Sequence, residues 1–522
     1  MVSFGANGSF ISGTAINRWD PAVTTSLAGL WTRSNALALL ADDGSHVLTG
    51  DNRSEAIIYD LSLSGKGNVS GTYQRFANTF TTIDLAEGND LLDLTVHPNR
   101  HVPAYLTPVT AIGGAGADKI WAGYGNDVIY GDTANSSLIT INISLFQSGF
   151  ADQIYGGDGN DTIYGDYGAL DFANVSLGSF QFGDDYVNGG NGNDVIYGDY
   201  GASSFASVNV SLFSYGDDNL FGGAGNDTIY GDNSSLGAIS VAAAALSFGS
   251  DTIHGGDGDD VIYGDPGAPG GALGVGLNIL SFVHDEIYGD AGADYIVGDS
   301  AGSLIGALAG GSDLLSGGAG ADTIVGDYTG NLSTVANTLN FGNDTISGGD
   351  DGDVLVGDYA SSLGLTAASL LAFGNDSISG DAGNDTIYGD TSNNSLAGLG
   401  AGQDTINGGT GNDVLWGDYP ALLATGSRDF FVFAPGSGAD TIKDFHQDTP
   451  VSSLAGYNDK IDLTAYGASG IHSMSQLSIT YSGGDATINL GGGDTIRVEG
   501  PDNLTAPGLL GNPLHSTDFI FG

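Results

Sequence analysis

Hydrophobic positions along most of this chain come in short bursts separated by glycine and aspartate. Thr162-Ile163-Tyr164 is one such burst, with Gly-Asn-Asp before it and Gly-Asp after it. Alternation along a strand points Ile163 inward and its two neighbours outward, which predicts a three-residue strand bounded by turns. The phrase recurs as GNDVIYGD, GNDTIYGD, GNDVIYGD, GNDTIYGD and GDDVIYGD, closing at Asp132, Asp166, Asp199, Asp232 and Asp265. It continues as GADYIVGD, GADTIVGD, DGDVLVGD, GNDTIYGD and GNDVLWGD, closing at Asp299, Asp327, Asp358, Asp390 and Asp418. Closing aspartates follow one another at 28 to 34 residues. A period in that range is the signature of a solenoid.

Between the phrases lie apolar insertions that repeat among themselves, such as SSFASVNVSLFSYG and SSLGLTAASLLAFG. Alternation in NVSLFSY predicts a third strand per coil, and stacked copies would add a third wall about 4.8 Å apart per coil. Residues 1–85 lack the phrase and alternate weakly, as in Glu55–Leu63 and Phe80–Leu85. They predict short strands and a β-rich cap, since an open sheet edge invites aggregation.

Each period holds two half-repeats. Around Asp199 these are GDDYVNGGN and GNDVIYGDY, which fit the nonapeptide G-G-x-G-x-D-x-U-x with U a large aliphatic residue. Here the chain resembles the RTX (repeats-in-toxin) proteins, whose nonapeptides build a calcium-loaded parallel β-roll. Their chemistry accounts for the spelling. Ca²⁺ takes six to eight oxygen ligands in tolerant geometry. A turn such as Gly156-Gly157-Asp158-Gly159-Asn160-Asp161 aims backbone carbonyls inward using φ values glycine reaches freely, and its last Asp adds a carboxylate. A metal-free solenoid with glycine turns is the alternative, but stacked rows of like charge at strand spacing call for a counter-ion.

The resemblance implies calcium ligands along two edges. The turn edge offers Asp127, Asp161, Asp194, Asp227, Asp260, Asp294, Asp322, Asp353, Asp385 and Asp413. The other edge is interrupted by the insertions. It starts at the closing aspartates Asp166, Asp199, Asp232, Asp265, Asp299, Asp327, Asp358, Asp390 and Asp418. It finishes at Asp118, Asp152, Asp185, Asp218, Asp251, Asp285, Asp313, Asp344, Asp376 and Asp404. Two departures from the nonapeptide stand out. Ala122 replaces the first Gly of its turn, and Asp351 stands at a fourth-position Gly, which weakens the site expected at Asp353.

Charge fits this picture. Eleven Lys+Arg against 62 Asp+Glu give −51, and 89 of 522 residues are Gly. Such a chain does not bind nucleic acid by neutralising phosphates, while 41% hydrophobic residues argue for a fold rather than a solvating tail. About two ions per coil would cancel around 40 negative charges, so folding is expected to wait for calcium. With no cysteine, metal takes the stapling role of disulfides. No basic-plus-apolar start and no run of 18 apolar residues are visible, so neither a Sec-type signal nor a transmembrane segment is expected.

Motifs for catalysis are scarce. His97 and His101 in HPNRH have i, i+4 spacing, but Pro98 stands where a zincin needs Glu, and they read as loop histidines. There is no G-x-S-x-G elbow. No catalytic residue is assigned. Outward positions form a Val/Thr stripe (Val128 to Val414) and an aromatic one (Tyr130, Tyr164, Tyr197, Tyr230, Tyr263, Tyr388, Trp416). These could bind glycan, ice or another copy of the chain, or simply suit a strand. A polysaccharide-modifying epimerase or lyase on the solenoid face is the enzyme alternative, though such faces carry basic residues and here Lys119 is the nearest.

From Arg428 the composition changes. Asp429–Phe445 and Asn458–Leu463 resemble the C-terminal secretion module of serralysin-type RTX proteins, and Ser516–Gly522 is similar to type I secretion signals. That implies export by an ABC transporter directly to the medium. The expectation is an all-β chain: a cap over 1–85, a parallel β-roll of about ten coils over 86–427, and a β-rich cap with the secretion module over 428–522. Its expected role is that of a secreted, calcium-dependent structural or surface- and matrix-binding protein.

Overall fold

The three-residue strands form where the phrase places them. A computed structural model describes residues 2–3, 44–50, 56–59, 78–96, 103–134, 136–139, 142–143, 146–147, 149–173, 176–206, 209–234, 245–265, 280–300, 308–330, 339–360, 371–392, 401–418, 427–447, 458–500 and 513–522. HPNRH and much of the insertions lie outside them. The chain divides into two units, Met1–Ser234 and Ser235–Gly522.

In the first unit Val128–Tyr130, Thr162–Tyr164, Val195–Tyr197 and Thr228–Tyr230 pair in parallel, with Ile129, Ile163, Ile196 and Ile229 in one register. A second parallel sheet holds Lys119–Gly123, Gln153–Asp158, Tyr186–Asn191 and Asn219–Ala224. Inward aliphatics of both sheets, Ile154, Ile163, Val187 and Ile196 among them, are fully buried. Each is worth about 1.5–3 kcal/mol of burial, so every coil brings its own share of core. The second unit repeats the plan. Val261–Tyr263, Tyr295–Val297, Thr323–Val325, Val354–Val356, Thr386–Tyr388 and Val414–Trp416 form one ladder. Thr252–Asp257, Glu286–Ala291, Leu314–Ala319, Thr345–Asp350, Ser377–Ala382 and Thr405–Asn407 form the other. This is a parallel β-roll.

The insertions add more than the expected single strand. In the first unit Ser136–Ile139, Tyr167–Ala173 and Tyr200–Ala206 form a third parallel sheet. Asn142–Ile143, Ser176–Gln181 and Asn209–Ser214 form a fourth. In the second unit the described strands at the fourth position are short: Ala245–Ser247, Leu280–Ser281, Leu308–Ala309, Leu339–Asn340 and Leu371–Ala372 pair in parallel.

Parallel stacking also reaches beyond the phrase on both sides. Val47–Thr49, Thr82–Asp84 and Thr110–Ile112 lead into Val128–Tyr130, and Ala56–Ile58 and Leu91–Asp93 lead into Lys119–Gly123. At the other end Phe430–Val432, Lys460–Leu463 and Phe519–Phe521 extend one ladder. Ala439–Ile442 extends the other and joins an antiparallel meander of Ser478–Ser482, Asp485–Gly491 and Asp494–Val498. Among the described residues no helix is long and apolar enough to cross a membrane, a finding that does not bear on strand-built membrane barrels.

Candidate metal centres

The turn that begins each site is a matter of backbone conformation. Gly157 and Gly159 have φ of 110° and 141°, and the second and fourth turn positions repeat such values from coil to coil. Where Asp replaces Gly there, Asp takes the left-handed conformation itself: Asp290 at 70°, Asp351 at 72° and Asp381 at 65°. Asp is among the few side chains that tolerate it. Asp351 therefore leaves the ladder intact. Asp353 still receives the Asp322 N–H at 2.8 Å and still donates its own to Asp385 at 2.8 Å.

The predicted aspartates fall into three rows, all buried. On the turn edge Asp127 receives the Val109 N–H, and Asp161 and Asp194 receive those of Asp127 and Asp161. Asp227 closes the row in the first unit by receiving the Asp194 N–H. In the second unit the row runs Asp260, Asp294, Asp322, Asp353, Asp385 and Asp413 in the same fashion. At the finish of each insertion Asp118, Asp152, Asp185 and Asp218 make an equivalent row. Asp251, Asp285, Asp313, Asp344, Asp376 and Asp404 make its counterpart in the second unit. The closing aspartates form the third row. Asp166, Asp199, Asp299, Asp327, Asp358 and Asp390 receive N–H groups of Gly183, Gly216, Gly311, Gly342, Gly374 and Gly402, which follow the insertions. Asp418 likewise receives that of Ser427. Asp232 and Asp265 occupy the same closing position and are fully buried. Both ends of each insertion are thereby held at one edge.

Within the first two rows the two carboxylate oxygens have different fates. Oδ1 takes the neighbouring coil's N–H. Oδ2 of Asp118, Asp152, Asp161, Asp185, Asp194, Asp294, Asp313, Asp322, Asp344, Asp353, Asp376, Asp385, Asp404 and Asp413 is buried with no hydrogen-bond partner. Leaving a buried carboxylate oxygen unsatisfied costs several kcal/mol, and a row of them is not a stable end state. The space these atoms face is defined by glycine. A Cβ on Gly317 would collide with Asp322 Oδ2 and crowd the Gly348 carbonyl oxygen. One on Gly326 would collide with Asp344 Oδ2 and the Gly357 carbonyl oxygen, and Gly165, Gly298, Gly357 and Gly389 repeat that arrangement. Each cradle thus gathers one orphaned carboxylate oxygen and a carbonyl from the next coil, a hard-oxygen donor set. Among the described residues no group of three or more His, Cys, Asp or Glu is arranged to hold a metal ion by side chains alone, so backbone carbonyls must supply the rest of any coordination shell.

Electrostatics separate the edges. Burial, opposed by the ladder hydrogen bond and reinforced by neighbouring carboxylates, lifts Asp194, Asp322, Asp353 and Asp385 to about 7. Asp127 is lifted to about 8. At the insertion edge Asp152, Asp185, Asp313, Asp344 and Asp376 are pushed far above the carboxylate range, again chiefly by burial. Asp299 is pushed far above the carboxylate range, chiefly by burial and next by the charge of neighbouring Asp327.

Asp132, the first closing aspartate but not among the expected ligands, begins the closing row and is buried beside Asp166 and Asp185. Three further members of the rows lie beyond the expected set. Asp440 extends the turn row, receiving the Asp413 N–H at 3.1 Å. Asp429 and Asp459 extend the insertion row, receiving those of Asp404 and Asp429. One signal was present: Gly438-Ala439-Asp440-Thr441-Ile442 repeats the Gly320-Ala321-Asp322-Thr323-Ile324 wording of the phrase.

The outer stripes are also resolved. Tyr130, Tyr164, Tyr197 and Tyr230 stack at 5.0, 4.8 and 5.1 Å between centroids. A Cβ on Gly168 or Gly201 would collide with the ring of Tyr130 or Tyr164, so the insertion backbone lies directly on this stripe. A second stripe, Trp121, Tyr155, Tyr186 and Phe221, runs along the other sheet with centroids 5.3, 5.5 and 5.3 Å apart, the first pair stacked and the other two tilted. It follows a diagonal across two strand positions, which reading one position at a time does not find.

Parallel ladders with glycine cradles and buried carboxylate rows define a calcium-binding β-roll. The family model of the RTX calcium-binding nonapeptide repeat (4 copies) matches residues 110–138, 147–169, 182–202, 214–235, 247–268, 284–301, 309–327, 372–400 and 399–418. This region therefore carries repeated RTX calcium-binding nonapeptides, repeats that bind Ca²⁺. No curated protein matches the chain.

Proposed function

We propose that this is a secreted protein whose roll folds on calcium outside the cell, where it serves a structural or surface- and matrix-binding role. One observation carries the reading: coil after coil presents a buried, unpartnered carboxylate oxygen to a carbonyl-lined cradle that glycine keeps open. The turn row, from Asp127 to Asp413, and the insertion row, from Asp118 to Asp404, supply the carboxylate ligands. The closing row adds charge at the insertion edge. Bound calcium supplies the positive charge these rows need.

The chain's own residues set the switch. Without metal, rows of like charge at strand spacing repel, and the cradles hold unsatisfied oxygens. Such a chain stays unfolded where calcium is scarce, the state in which an ABC exporter of the type I route threads its cargo. Where calcium is plentiful, extracellular-grade sites fill, and each site at a hundred times its Kd contributes about 2.7 kcal/mol to the roll. Stacking spreads order from coil to coil, so folding is cooperative.

The test is a Ca²⁺ titration of metal-free protein followed by far-UV circular dichroism. β-Structure should appear cooperatively, and Mg²⁺ should not replace Ca²⁺ because it demands octahedral geometry and sheds water reluctantly. A chain already fully folded in excess chelator at neutral pH would sink the proposal.

A further inference from the structure

The dipeptide Gly-Asp stands on both edges of the second unit and does opposite things there. On the turn edge Asp290 and Asp381 follow Gly289 and Gly380, with φ of 70° and 65°, and their side chains are exposed. Asp290 Oδ2 lies 3.1 Å from His254 Nδ1, and Asp381 accepts the hydroxyls of Ser347 and Ser379. The other turns have glycine at this position, as at Gly256, Gly318, Gly349 and Gly409. Each coil of the turn edge is left with one buried carboxylate, that of its own row, such as Asp353 or Asp385.

On the insertion edge Asp358 and Asp390 follow Gly357 and Gly389, and both are fully buried. Their Oδ1 atoms accept the N–H groups of Gly374 and Gly402, at 2.9 and 2.8 Å. Their Oδ2 atoms are buried without a hydrogen-bond partner. The insertion row brings a second oxygen of the same kind. A Cβ on Gly357 would collide with Asp376 Oδ2, and one on Gly389 with Asp404 Oδ2, both also buried and unpartnered. Asp376 is the carboxylate whose charge acts most on Asp358, and Asp390 the one that acts most on Asp404. Each such coil therefore sets two orphaned oxygens beside its cradle, where the turn edge sets one.

We propose that the two edges bind calcium with unequal affinity, the insertion edge filling first and the turn edge only at higher calcium. The proposal rests on the calcium reading above. The number of charged ligands is what tunes a calcium site of otherwise similar build. A second carboxylate in a buried cell attracts the ion with little screening, and the repulsion between the pair is relieved when the ion enters. One extra charge of this kind corresponds to an affinity difference on the order of tenfold or more. The order of filling has a structural meaning. Ions at the insertion edge fix both ends of each insertion and stack the coils, and ions at the turn edge then enter a roll already built.

The test is calcium binding to the metal-free full-length chain, measured by competition with a fluorescent chelator while circular dichroism follows β-structure. Binding is expected in two steps about tenfold or more apart in free calcium, with β-structure complete by the end of the first. The double variant D358N/D390N should shift about two ions per chain from the first step to the second, whereas D353N/D385N should lose its ions from the second. A single undivided step, or loss from the first step in D353N/D385N, would overturn the proposal and leave the calcium reading standing. No bound calcium in either step would instead refute the calcium reading. Anomalous diffraction from wild-type crystals at graded calcium needs no variant to fold. Peaks at Asp376 and Asp404 should reach full occupancy before those at Asp353 and Asp385, and equal or reversed filling would also overturn the proposal.

Discussion

Replacing Asp322 by asparagine separates the two jobs of one carboxylate. Its Oδ1 accepts the Asp294 N–H at 2.8 Å, and the amide oxygen of Asn can keep that bond. Its Oδ2 faces the cradle with no partner, and there the amide places an uncharged NH₂. In metal-free protein the change is favourable. Burial lifts Asp322 from 3.8 to about 7, so holding it ionised above pH 7 costs the metal-free roll up to about 4 kcal/mol. Solvent at the turn screens part of that, leaving about 2 kcal/mol. In calcium the change is unfavourable, because a charged ligand is gone. Between calcium at Kd and calcium a hundred times higher, a single site contributes about 2 kcal/mol to stability, and D322N should lose that increment. Urea unfolding at the two calcium concentrations reads both effects. The variant should be the more stable chain at low calcium and gain about 2 kcal/mol less than wild type on adding the metal. A variant that retains the full wild-type calcium dependence would refute the assignment of Oδ2 as a ligand.

Other outcomes follow from the same geometry. G326A should destabilise the calcium-loaded roll by about 2–3 kcal/mol or more, since its Cβ collides with Asp344 and the Gly357 carbonyl. G483A, with open space around it but φ at 70°, should cost only about 1 kcal/mol; equal melting temperatures for the two would contradict the cradle. Turn-row carboxylates such as Asp194 and Asp385 are raised to about 7 from 3.8. The metal-free fold therefore holds more protons than the unfolded chain, and their favourable contribution is fully present below about 4 and lost as pH rises through about 7. Metal-stripped protein should thus show more β-structure by circular dichroism at pH 5 than at pH 8, the reverse of ordinary acid denaturation, and the opposite order would refute it. Removing residues 429–522 should abolish export from the producing cell, measured as protein in the medium, whereas removing residues 1–85 should leave export intact.

Much of the fold was legible because one phrase does several jobs at once. Ile163 and its equivalents specify an inward residue, the glycines a turn, and the aspartates a row, so period and strand agree at every coil. The turn row and the insertion row were readable for the same reason. What escaped lies where wording drifts while geometry holds. Asp459 and Asp429 continue a row without any GGxGxD before them, because Oδ1 needs only the neighbouring N–H and not the glycine turn. The insertion wall through Asn209–Ser214 was legible in the alternation of NVSLFSY, whereas the additional sheet through Tyr167–Ala173 and Tyr200–Ala206 was not, because its strands begin directly after the closing aspartate. At Asp351 the fourth-position wording changes while the backbone does not, because aspartate adopts the left-handed conformation that glycine takes in other coils.

The spacing of the closing aspartates varies from 28 to 34 residues, while strand pairing keeps one register throughout each unit. The difference is absorbed between a closing aspartate and the N–H it receives, as in Asp166 to Gly183 or Asp390 to Gly402, which are 17 and 12 residues apart. The edge therefore works as a set of sockets at fixed pitch, each indifferent to the length of chain that leaves and re-enters it. A foreign peptide spliced between two such points would hang from the roll without disturbing its neighbours. Whole coils could be duplicated or deleted on the same terms, and a display scaffold of graded valency could be assembled from this chain by counting sockets.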